Sequence, residues 1–431
     1  MIARTCFLLY TTGMNKPDFS RIILHVDANN FYASCECARN PALVGQPLVV
    51  CGNPQKRKGI VLAKSYEAKR YGIKTGDTVY SAEKKCPNLI LLQPDFSIYS
   101  FYSKALFAIY TRFTDRVECF GMDECWLDVT GSTRLFGDGK QIADTIRQIV
   151  KDELHLTVSV GVSFSKVFAK LGSDYKKPDA TTVIDRDNYQ SLAWGLPVED
   201  MIMVGRQTQK TLRNIGILTI GDLANTPESI LHDKLGINGV KLIHAAQGLE
   251  EGEVLHYYDH VIPESISNGT TTSVDIERPE EALSLTTTLA DMVMTRLRGY
   301  GLRAMGCFVY CRANDFVGWG GTMKLESPIG SASELIDNCT QMLTSLWREH
   351  NMVPLRSVTL GVSRLIGDGE AVQTSLFDTV DHQRNTSADM AVDRIRAKFG
   401  KNVISRAASL TYTYTTDEIL DDSTYKPFKK N

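Results

Sequence analysis

The sequence lacks any long hydrophobic run. Its 431 residues hold no stretch of the roughly 18 apolar residues that a membrane span needs, so we predict no membrane association. The first residues, MIARTCFLLYTTG, carry one Arg and a short apolar run without a small-residue cleavage site, which argues against a signal peptide. We therefore predict a cytoplasmic protein in which residues 1–20 form a disordered leader, with Met14 as a plausible true start.

Cysteine pairs with zinc-ligand spacing are also missing. None of the ten cysteines forms a C-x-x-C pair with a downstream Cys or His pair, and their scatter is typical of reduced, buried thiols. The chain has no excess of positive charge either, since 48 Lys and Arg against 50 Asp and Glu give a net charge of -2. Nucleic-acid binding would therefore have to use local patches. The length predicts about two to four domains.

The sequence does contain an acid pair at a predicted hairpin bend within Glu118–Gly131 (ECFGMDECWLDVTG). Strand-like residues flank Asp123 and Glu124, which places both carboxylates at the hairpin tip. Burying an acid pair is costly unless a cation offsets the charge, and no Arg or Lys lies between Arg116 and Arg134. A Mg²⁺ ion, which prefers carboxylate oxygens, fits this position. A tight turn with two solvated acids is the alternative.

A third carboxylate follows the first predicted strand. Arg21–Val26 (RIILHV) runs directly into Asp27, and ligand sites on sheets tend to lie at the carboxyl ends of buried strands. With the acid pair, Asp27 would complete a set of carboxylates able to hold two divalent ions about 3.5–4 Å apart, as in-line phosphoryl displacement requires. Phe31 and Tyr32 follow at once, and taken alone they read as a core pair at the start of a helix.

These two segments resemble a known family. The runs DANNFYASCE from Asp27 and MDECWLDVT from Met122 are similar to motifs of the Y-family (translesion) DNA polymerases, closest to the bacterial polymerase IV and polymerase V catalytic subunits. The resemblance implies that Asp27 and Asp123 bridge two Mg²⁺ ions and that Glu124 completes the primer-side site. It also implies that the backbone carbonyl of Ala28 adds a ligand to the nucleotide-side ion.

The same resemblance implies a nucleotide site. Tyr32 would be the steric gate, whose ring excludes the ribose 2′-hydroxyl. The stretch from Ile60 to Ile73 resembles the fingers motif, which grips the incoming triphosphate, and Asp174 would support the metals. Taken alone, this stretch also fits an amphipathic helix with a solvated charge run. The implied nucleotide-binding residues are Phe31, Tyr32, Tyr66, Lys69 and Lys177.

Periodicity predicts the fold around the acids. Helical spacing occurs at Ile98–Thr114 and Gln141–Leu154, and Thr157–Ser163 alternates like a strand. With the first strand and the hairpin, this gives β-α-β-β-α-β, a split βαβ sheet like the ferredoxin-like palm of the family. We predict an α+β multidomain protein with the architecture of a right-hand polymerase. Its divisions are a palm (21–30 and 99–185), small fingers (31–98), a helical thumb (186–250), a linker (251–264), an α+β little finger (265–366) and a tail (367–431).

Features for DNA binding are predicted in the second half. Glycine turns at Gly205–Thr208 and Leu235–Val240 resemble helix-hairpin-helix elements, whose backbone N–H groups approach phosphate, although Met203 replaces the usual first glycine. A plain helical bundle with glycine caps is the alternative. The little finger would follow the order strand, helix, strand, strand, helix, strand. Its candidate phosphate contacts are Arg296, Arg298, Arg303 and Arg312, and the alternative is that these arginines cap helices or form surface ion pairs.

The tail carries a short linear motif, followed by a predicted amphipathic helix at Asp389–Phe399. Gln373-Thr374-Ser375-Leu376-Phe377 resembles the clamp-binding peptide of bacterial polymerases, in which a Gln and a Leu-Phe pair fill a polar and an apolar pocket. The resemblance implies a sliding clamp as partner, bound through Gln373, Leu376 and Phe377.

The function that these features predict is error-prone, template-directed translesion DNA synthesis in damage tolerance and repair. The enzyme would add deoxynucleotides from their triphosphates to a primer 3′ end on template DNA, by two-metal catalysis. A nucleotidyl cyclase shares such a palm, but its Gly-Gly-Asp/Glu-Glu-Phe hairpin is missing. A catalytically weak, DNA-bound scaffold that recruits the clamp or other partners is the alternative.

Overall fold

The computed structural model describes residues 17–53, 59–249, 252–259, 262–370, 382–400 and 403–410. Most of the described chain up to Asp259 forms one compact unit, and the described chain from residue 262 forms most of a second. None of the described helices is long and apolar enough to cross a membrane. The predicted leader falls almost wholly outside the described residues.

Strands occur in both units. In the first they are β1 (Ile23–Ala28), β2 (Leu48–Cys51), β3 (Val61–Lys64), β4 (Ile90–Leu92), β5 (Val117–Cys119), β6 (Glu124–Asp128), β7 (Val158–Ser163) and β8 (Thr181–Ile184). In the second they are β9 (Ser265–Ile276), β10 (Leu302–Ala313), β11 (Gly318–Ile329) and β12 (Leu355–Gly367).

Helices connect and cover these strands. In the first unit they are α1 (Phe31–Arg39), α2 (Tyr66–Arg70), α3 (Val79–Lys85), α4 (Phe96–Tyr110), α5 (Thr133–Phe136), α6 (Gly139–Leu154), α7 (Lys166–Tyr175), α8 (Tyr189–Ala193), α9 (Arg206–Asn214), α10 (Ile220–Ala224), α11 (Glu228–Leu235) and α12 (Ile237–Gln247). In the second they are α13 (Pro279–Gly299), α14 (Ala332–Glu349), α15 (His382–Phe399) and α16 (Ala407–Leu410).

The central sheet of the first unit has the order β5-β6-β1-β7-β8. Strand β1 pairs antiparallel with both β6 and β7, so the predicted split βαβ arrangement is confirmed, with α4 and α6 as its helices. Strand β8 was not predicted and extends the sheet in parallel beside β7. Every residue of β1 is buried, because the strand is central and both of its faces are covered.

Helix α6 shows why the sequence folds in this way beside the sheet. Asp138 caps its first turn in a capping box with Gln141. Ile142, Ile146 and Val150 recur every four residues and are fully buried in the core against β1 and β7. This amphipathic helix therefore covers one face of the sheet and leaves the opposite face to α7.

The predicted fingers contain a second sheet, of order β3-β2-β4. The stretch with the family's fingers motif is a strand followed by a helix, since Ser65 ends β3 and caps α2 through the Ala68 N–H. The alternative of a continuous amphipathic helix is therefore wrong for Val61–Lys64. The predicted thumb is helical, and Gly236 turns the chain between α11 and α12 with a left-handed φ of 62°.

The second unit has the order β9-α13-β10-β11-α14-β12, which confirms the predicted succession of strands and helices. Its antiparallel sheet runs β11-β10-β12-β9 and packs against α13 and α14. The strand β11, for which no residues were predicted, alternates exposed with partly or fully buried residues from Gly318 to Glu326 and ends in the buried Pro328 and Ile329. The predicted tail helix is longer than expected and packs on α13 and α14.

Candidate active site

Strand β1 delivers its alternate side chains to opposite faces of the central sheet. Leu24 and Val26 pack in the core covered by α4 and α6, so His25 and Asp27 point to the face that α7 covers. The β1–β6 register pairs Asp27 with Glu124, and directly opposed residues share a face. Two of the three predicted acids are thus brought together by strand pairing alone.

Asp123 lies in the bend that precedes β6. Its backbone carbonyl accepts a hydrogen bond from the Ala28 N–H at 3.0 Å, which ties the bend to the end of β1. Burial, and then the charges of Asp27 and Glu124, raise the pKa of Asp123 to about 7. The three acids therefore lie close enough to repel one another.

Two lysines from the segment around α7 offset part of this negative charge. Lys170 Nζ lies 3.0 Å from Asp27 Oδ2 and 2.8 Å from Glu124 Oε2. Lys177 Nζ lies 2.8 Å from Asp27 Oδ1 and 2.9 Å from Asp174 Oδ1. Burial lowers the pKa of Lys170, but the charge of Asp27 and the hydrogen bond with Glu124 outweigh it and raise the pKa. The cations missing near the hairpin thus come from a distant segment.

His25 is a further group at the site. Its Nδ1 lies 2.8 Å from Ser173 Oγ, and its Nε2 lies 3.4 Å from Glu124 Oε2. Burial lowers the pKa of His25, which favours the neutral ring. Although burial opposes ionisation of Glu124, its contacts with His25 and Lys170 lower the pKa of Glu124 to about 2. Glu124 is therefore ionised throughout the physiological range.

The cluster fits a divalent cation. One ligand atom from each of His25, Asp27 and Glu124 lies within 4.8 Å of the other two. Carboxylate oxygens are the preferred ligands of hard cations such as Mg²⁺. Near these atoms, the carboxylates of Asp27, Asp123, Glu124 and Asp174 outnumber the ammonium groups of Lys170 and Lys177. The residues present therefore leave negative charge that a metal ion would neutralise.

Tyr32 is held by an aromatic cluster at the start of α1. Its ring stacks on Tyr99 with centroids 4.3 Å apart and an interplanar angle of 19°. The Tyr99 hydroxyl donates a 2.7 Å hydrogen bond to Glu36, and both residues are buried. The Tyr32 hydroxyl lies 3.6 Å from Met122 Sδ, beside the acid hairpin. The ring of Phe31 contacts that of Tyr32 within the same core, so neighbouring side chains fix the position of Tyr32 on several sides.

The residues predicted to bind triphosphate differ in their surroundings. Tyr66 is half-buried, and the charges of Lys177 and Asp27 both act on its hydroxyl, whose pKa is raised mainly by burial. Lys69 is exposed at the end of α2, with its ammonium 5.7 Å from the Tyr66 ring centroid. Tyr66 and Lys177 thus border the acids, and Lys69 lies beside Tyr66.

Comparisons with known proteins show the family of this chain. Residues 26–174 match the impB/mucB/samB family, and residues 263–376 match the impB/mucB/samB family C-terminal domain. DNA polymerase IV of Acetivibrio thermocellus is 41% identical over 391 residues, which cover 90% of this chain and 98% of the relative. The chain belongs to the Y-family DNA polymerases of the polymerase IV type. DNA polymerase IV 1 of Bacillus subtilis is 34% identical, over 91% of this chain and 94% of the relative.

Solved structures of Y-family polymerases show the same fold. A chimera of the polymerases Dbh and Dpo4 superposes with a TM-score of 0.71 at 22% identity, over 80% of this chain and 99% of the chimera. An insertion ternary complex of Dbh DNA polymerase gives a TM-score of 0.56 with the same identity and coverage. The predicted α+β multidomain polymerase architecture is therefore confirmed.

The prediction that Arg298 contacts DNA phosphate is wrong. Its side chain is only 8% exposed and pairs with Asp393 at 2.7 Å and Asp389 at 3.4 Å. Both acids lie on α15, so Arg298 holds this tail helix against α13, on which Arg298 itself lies. Arg296 donates to the Ser267 carbonyl, and Arg303 donates to the carbonyls of Asp368 and Glu370. The clamp-binding residues Gln373, Leu376 and Phe377 lie outside the described residues.

Sequence reasoning assigned no role to His25 or Lys170. His25 carried one local signal, a polar residue on the same face of an apolar strand as Asp27. Lys170 follows Lys166 by one helical turn and reads as an exposed helix lysine in a one-dimensional pattern. Its partner Asp27 lies 143 residues away, so only tertiary structure reveals the pair.

Proposed function

We propose that this translesion DNA polymerase extends primers with a site built from Asp27, Asp123 and Glu124, which hold two Mg²⁺ ions with the Ala28 carbonyl. One observation carries the proposal: Asp27 and Glu124 are opposed on adjacent central strands and converge on one cation, Lys170, at 3.0 and 2.8 Å. The ions would activate the primer 3′-hydroxyl and stabilise the leaving pyrophosphate. The reaction would use primer-template DNA and deoxynucleoside triphosphates.

The chain's own residues would orient the substrates. Tyr66 and Lys177 border Asp27, so a triphosphate that reaches the acids would meet a hydroxyl donor and an ammonium, with Lys69 at the exposed edge. Lysine offers a point charge and no bidentate fork, so its contact with phosphate constrains geometry less than arginine would. Tyr32, supported from behind by Tyr99, would block the ribose 2′-hydroxyl.

The proposed domains keep the bounds that the sequence predicts. The palm would comprise 21–30 and 99–185, the fingers 31–98, the thumb 186–250 and the little finger 265–366. The turn at Gly236 and the sheet of the second unit would contact the DNA backbone without reading base sequence, which makes affinity depend on salt. The curated relatives are bacterial DNA polymerases IV, and we propose the cytoplasm as the place where the protein acts.

Primer extension tests the metal acids. Asp123→Asn keeps the size of the side chain and removes the charge, so we expect extension to fall about a thousandfold, the equivalent of several kcal/mol of charge stabilisation. Asp128→Asn is the matched control, because Asp128 lies at the other end of β6 and its carboxylate accepts the Thr130 N–H. Extension by Asp123→Asn at the wild-type rate would refute the assignment.

A sliding clamp is the proposed partner, bound through Gln373, Leu376 and Phe377. Support comes from the sequence alone, since the motif follows the predicted little finger directly. In a clamp-binding assay, Phe377→Ala removes the aromatic anchor and should abolish binding, while extension on a short unclamped template stays unchanged. Equal clamp binding by the variant and the wild type would exclude this peptide.

A further inference from the structure

The ammonium group of Lys170 lies among carboxylates, where a metal ion could also bind. Its Nζ lies 2.8 Å from Glu124 Oε2, 3.0 Å from Asp27 Oδ2 and 3.3 Å from Asp174 Oδ2, and the side chain is only 15% exposed. A divalent ion that bridges Asp27 and Glu124 would use the same two oxygens. The ammonium and such an ion therefore compete for one place.

Close packing of α7 on the sheet fixes this position. A Cβ on Gly161 of β7 would lie 1.9 Å from the Ala169 carbonyl oxygen, so only glycine lets the helix approach so closely. Gly172 faces Gly161 across the same contact. Ser165 caps the first turn of the helix. The backbone that carries Lys170 is therefore held rigidly beside the acids, and only the side chain is free to move.

A second acidic environment lies on the other side of Lys170. A cavity of 440 Å³ is lined by Lys170, Asp174, Glu199 and Asp200, together with the turn that leads into α9. Glu199 is paired with Arg213 at 2.5 Å. Burial, and then the charges of Glu199 and Asp174, raise the pKa of Asp200, so an ammonium that arrived there would relieve repulsion. The cavity thus offers space and charge for a displaced lysine head.

We propose that Lys170 is a built-in counter-ion, which holds Asp27 and Glu124 together before a divalent ion binds and then moves toward Asp174 and Asp200. This inference rests on the proposed metal site. Lys170 is then a positioning residue. Its ammonium group prevents the carboxylates of Asp27 and Glu124 from separating, and an incoming ion must displace this group to bind the same oxygens.

Direct metal titration tests the proposal. The full chain, without DNA or nucleotide, is titrated with Mn²⁺ while free Mn²⁺ is read by electron paramagnetic resonance. Lys170→Met keeps the length of the side chain and removes the competing charge, so we expect Mn²⁺ to bind about tenfold more tightly. Lys166→Met is the matched control, because Lys166 lies one turn earlier, is 14% exposed and pairs with Glu118 at 2.7 Å, away from the acids. Its Mn²⁺ affinity should equal that of the wild type.

Two further variants separate the possible failures. If Asp123→Asn binds Mn²⁺ as the wild type does, the proposed metal site itself is wrong. If Asp123→Asn weakens binding while Lys170→Met leaves it equal or weaker, the site stands and the role of Lys170 is overturned. Asp200→Asn keeps Lys170 and removes the carboxylate toward which Lys170 would move, so we expect binding about threefold weaker. An unchanged affinity in Asp200→Asn would refute the movement, even if Lys170→Met failed to fold.

Discussion

The raised pKa of Asp123 predicts a specific dependence of stability on pH in the metal-free protein. A carboxyl whose pKa rises from 3.8 to about 7 on folding stabilises the fold fully below pH 3.8, and that stabilisation disappears as pH rises to 7. At about 1.4 kcal/mol per pH unit, the shift sets an upper limit of about 4 kcal/mol. Because Asp123 is partly exposed, solvent screening reduces the expected loss to about 2 kcal/mol.

The effect of Glu124 on the pH dependence of stability has the opposite sign and occurs below pH 4.5. Its pKa falls from 4.5 to about 2 on folding, so it stabilises the fold above pH 4.5 and loses this effect only as pH falls toward 2. Between pH 5 and pH 8, Asp123 and His25 both contribute to the change in stability. Burial lowers the pKa of His25 from 6.5, so its contribution to stability rises as the pH rises toward 6.5, which opposes the effect of Asp123. Urea denaturation in EDTA should therefore compare the wild type with Asp123→Asn, and the difference in their unfolding free energies should change by about 1 kcal/mol across that range.

Asp123→Asn removes the titrating group and supplies the comparison. In EDTA, the variant should be more stable than the wild type by about 2 kcal/mol at pH 8 and by less than about 1 kcal/mol at pH 5. Asp128→Asn, at the other end of the strand, controls for loss of any acid from this hairpin. Added Mg²⁺ should reverse the order at pH 8, because a bound ion stabilises only the protein that holds it. A constant difference between variant and wild type at all pH values would refute this reasoning.

The packing around the site gives three further predictions. Tyr99→Phe leaves a buried carboxylate without its donor and should loosen Tyr32, so ribonucleotide incorporation relative to deoxynucleotide should rise several-fold; an unchanged ratio would mean that Tyr99 does not position the gate. Gly161→Ala forces a methyl group against the Ala169 carbonyl and should lower the unfolding free energy by about 3 kcal/mol in urea, whereas an effect below about 0.5 kcal/mol would contradict the close packing. Met203→Gly relieves a left-handed φ of 72° and should stabilise the fold by up to about 1 kcal/mol, which a raised thermal midpoint would show. A lowered midpoint would show that the packing of the methionine side chain contributes more to stability than the strain costs.

Local patterns were enough to find the acids and the order of elements. Asp27 is a charge at the end of a short apolar strand, and Asp123 and Glu124 interrupt a hairpin, so each is visible within about ten residues of sequence. The β-α-β-β-α-β order follows from alternation and helical spacing in the same way. Strand β8 escaped prediction because its four residues, TTVI, are too short to show a period.

Pairing between distant segments could not be predicted in this way. The hairpin contains no cation, and the sequence alone favoured a metal ion as the counter-charge. The structure brings Lys170 and Lys177 to the acids through the packing of α7, which depends on tertiary contacts and not on a local period. Arg298 was misassigned for the same reason, since its partners Asp389 and Asp393 lie about ninety residues further along the chain.

The balance of charge at the site explains how a polymerase can keep its acids assembled without a metal and still bind one. With the lysines alone, Asp27 and Glu124 are neutralised, while Asp123 lies in a partly buried bend and takes up a proton near neutral pH. A protonated acid is a poor metal ligand, so binding of an ion must displace that proton as well as compete with Lys170. A triphosphate would supply additional oxygens for the ion, since Mg²⁺ prefers sites completed by substrate phosphates. These oxygens would offset the free energy needed to remove the proton from Asp123 and to displace Lys170. If the proposed metal site is correct, the arrangement would therefore couple stable occupation by metal to the arrival of nucleotide.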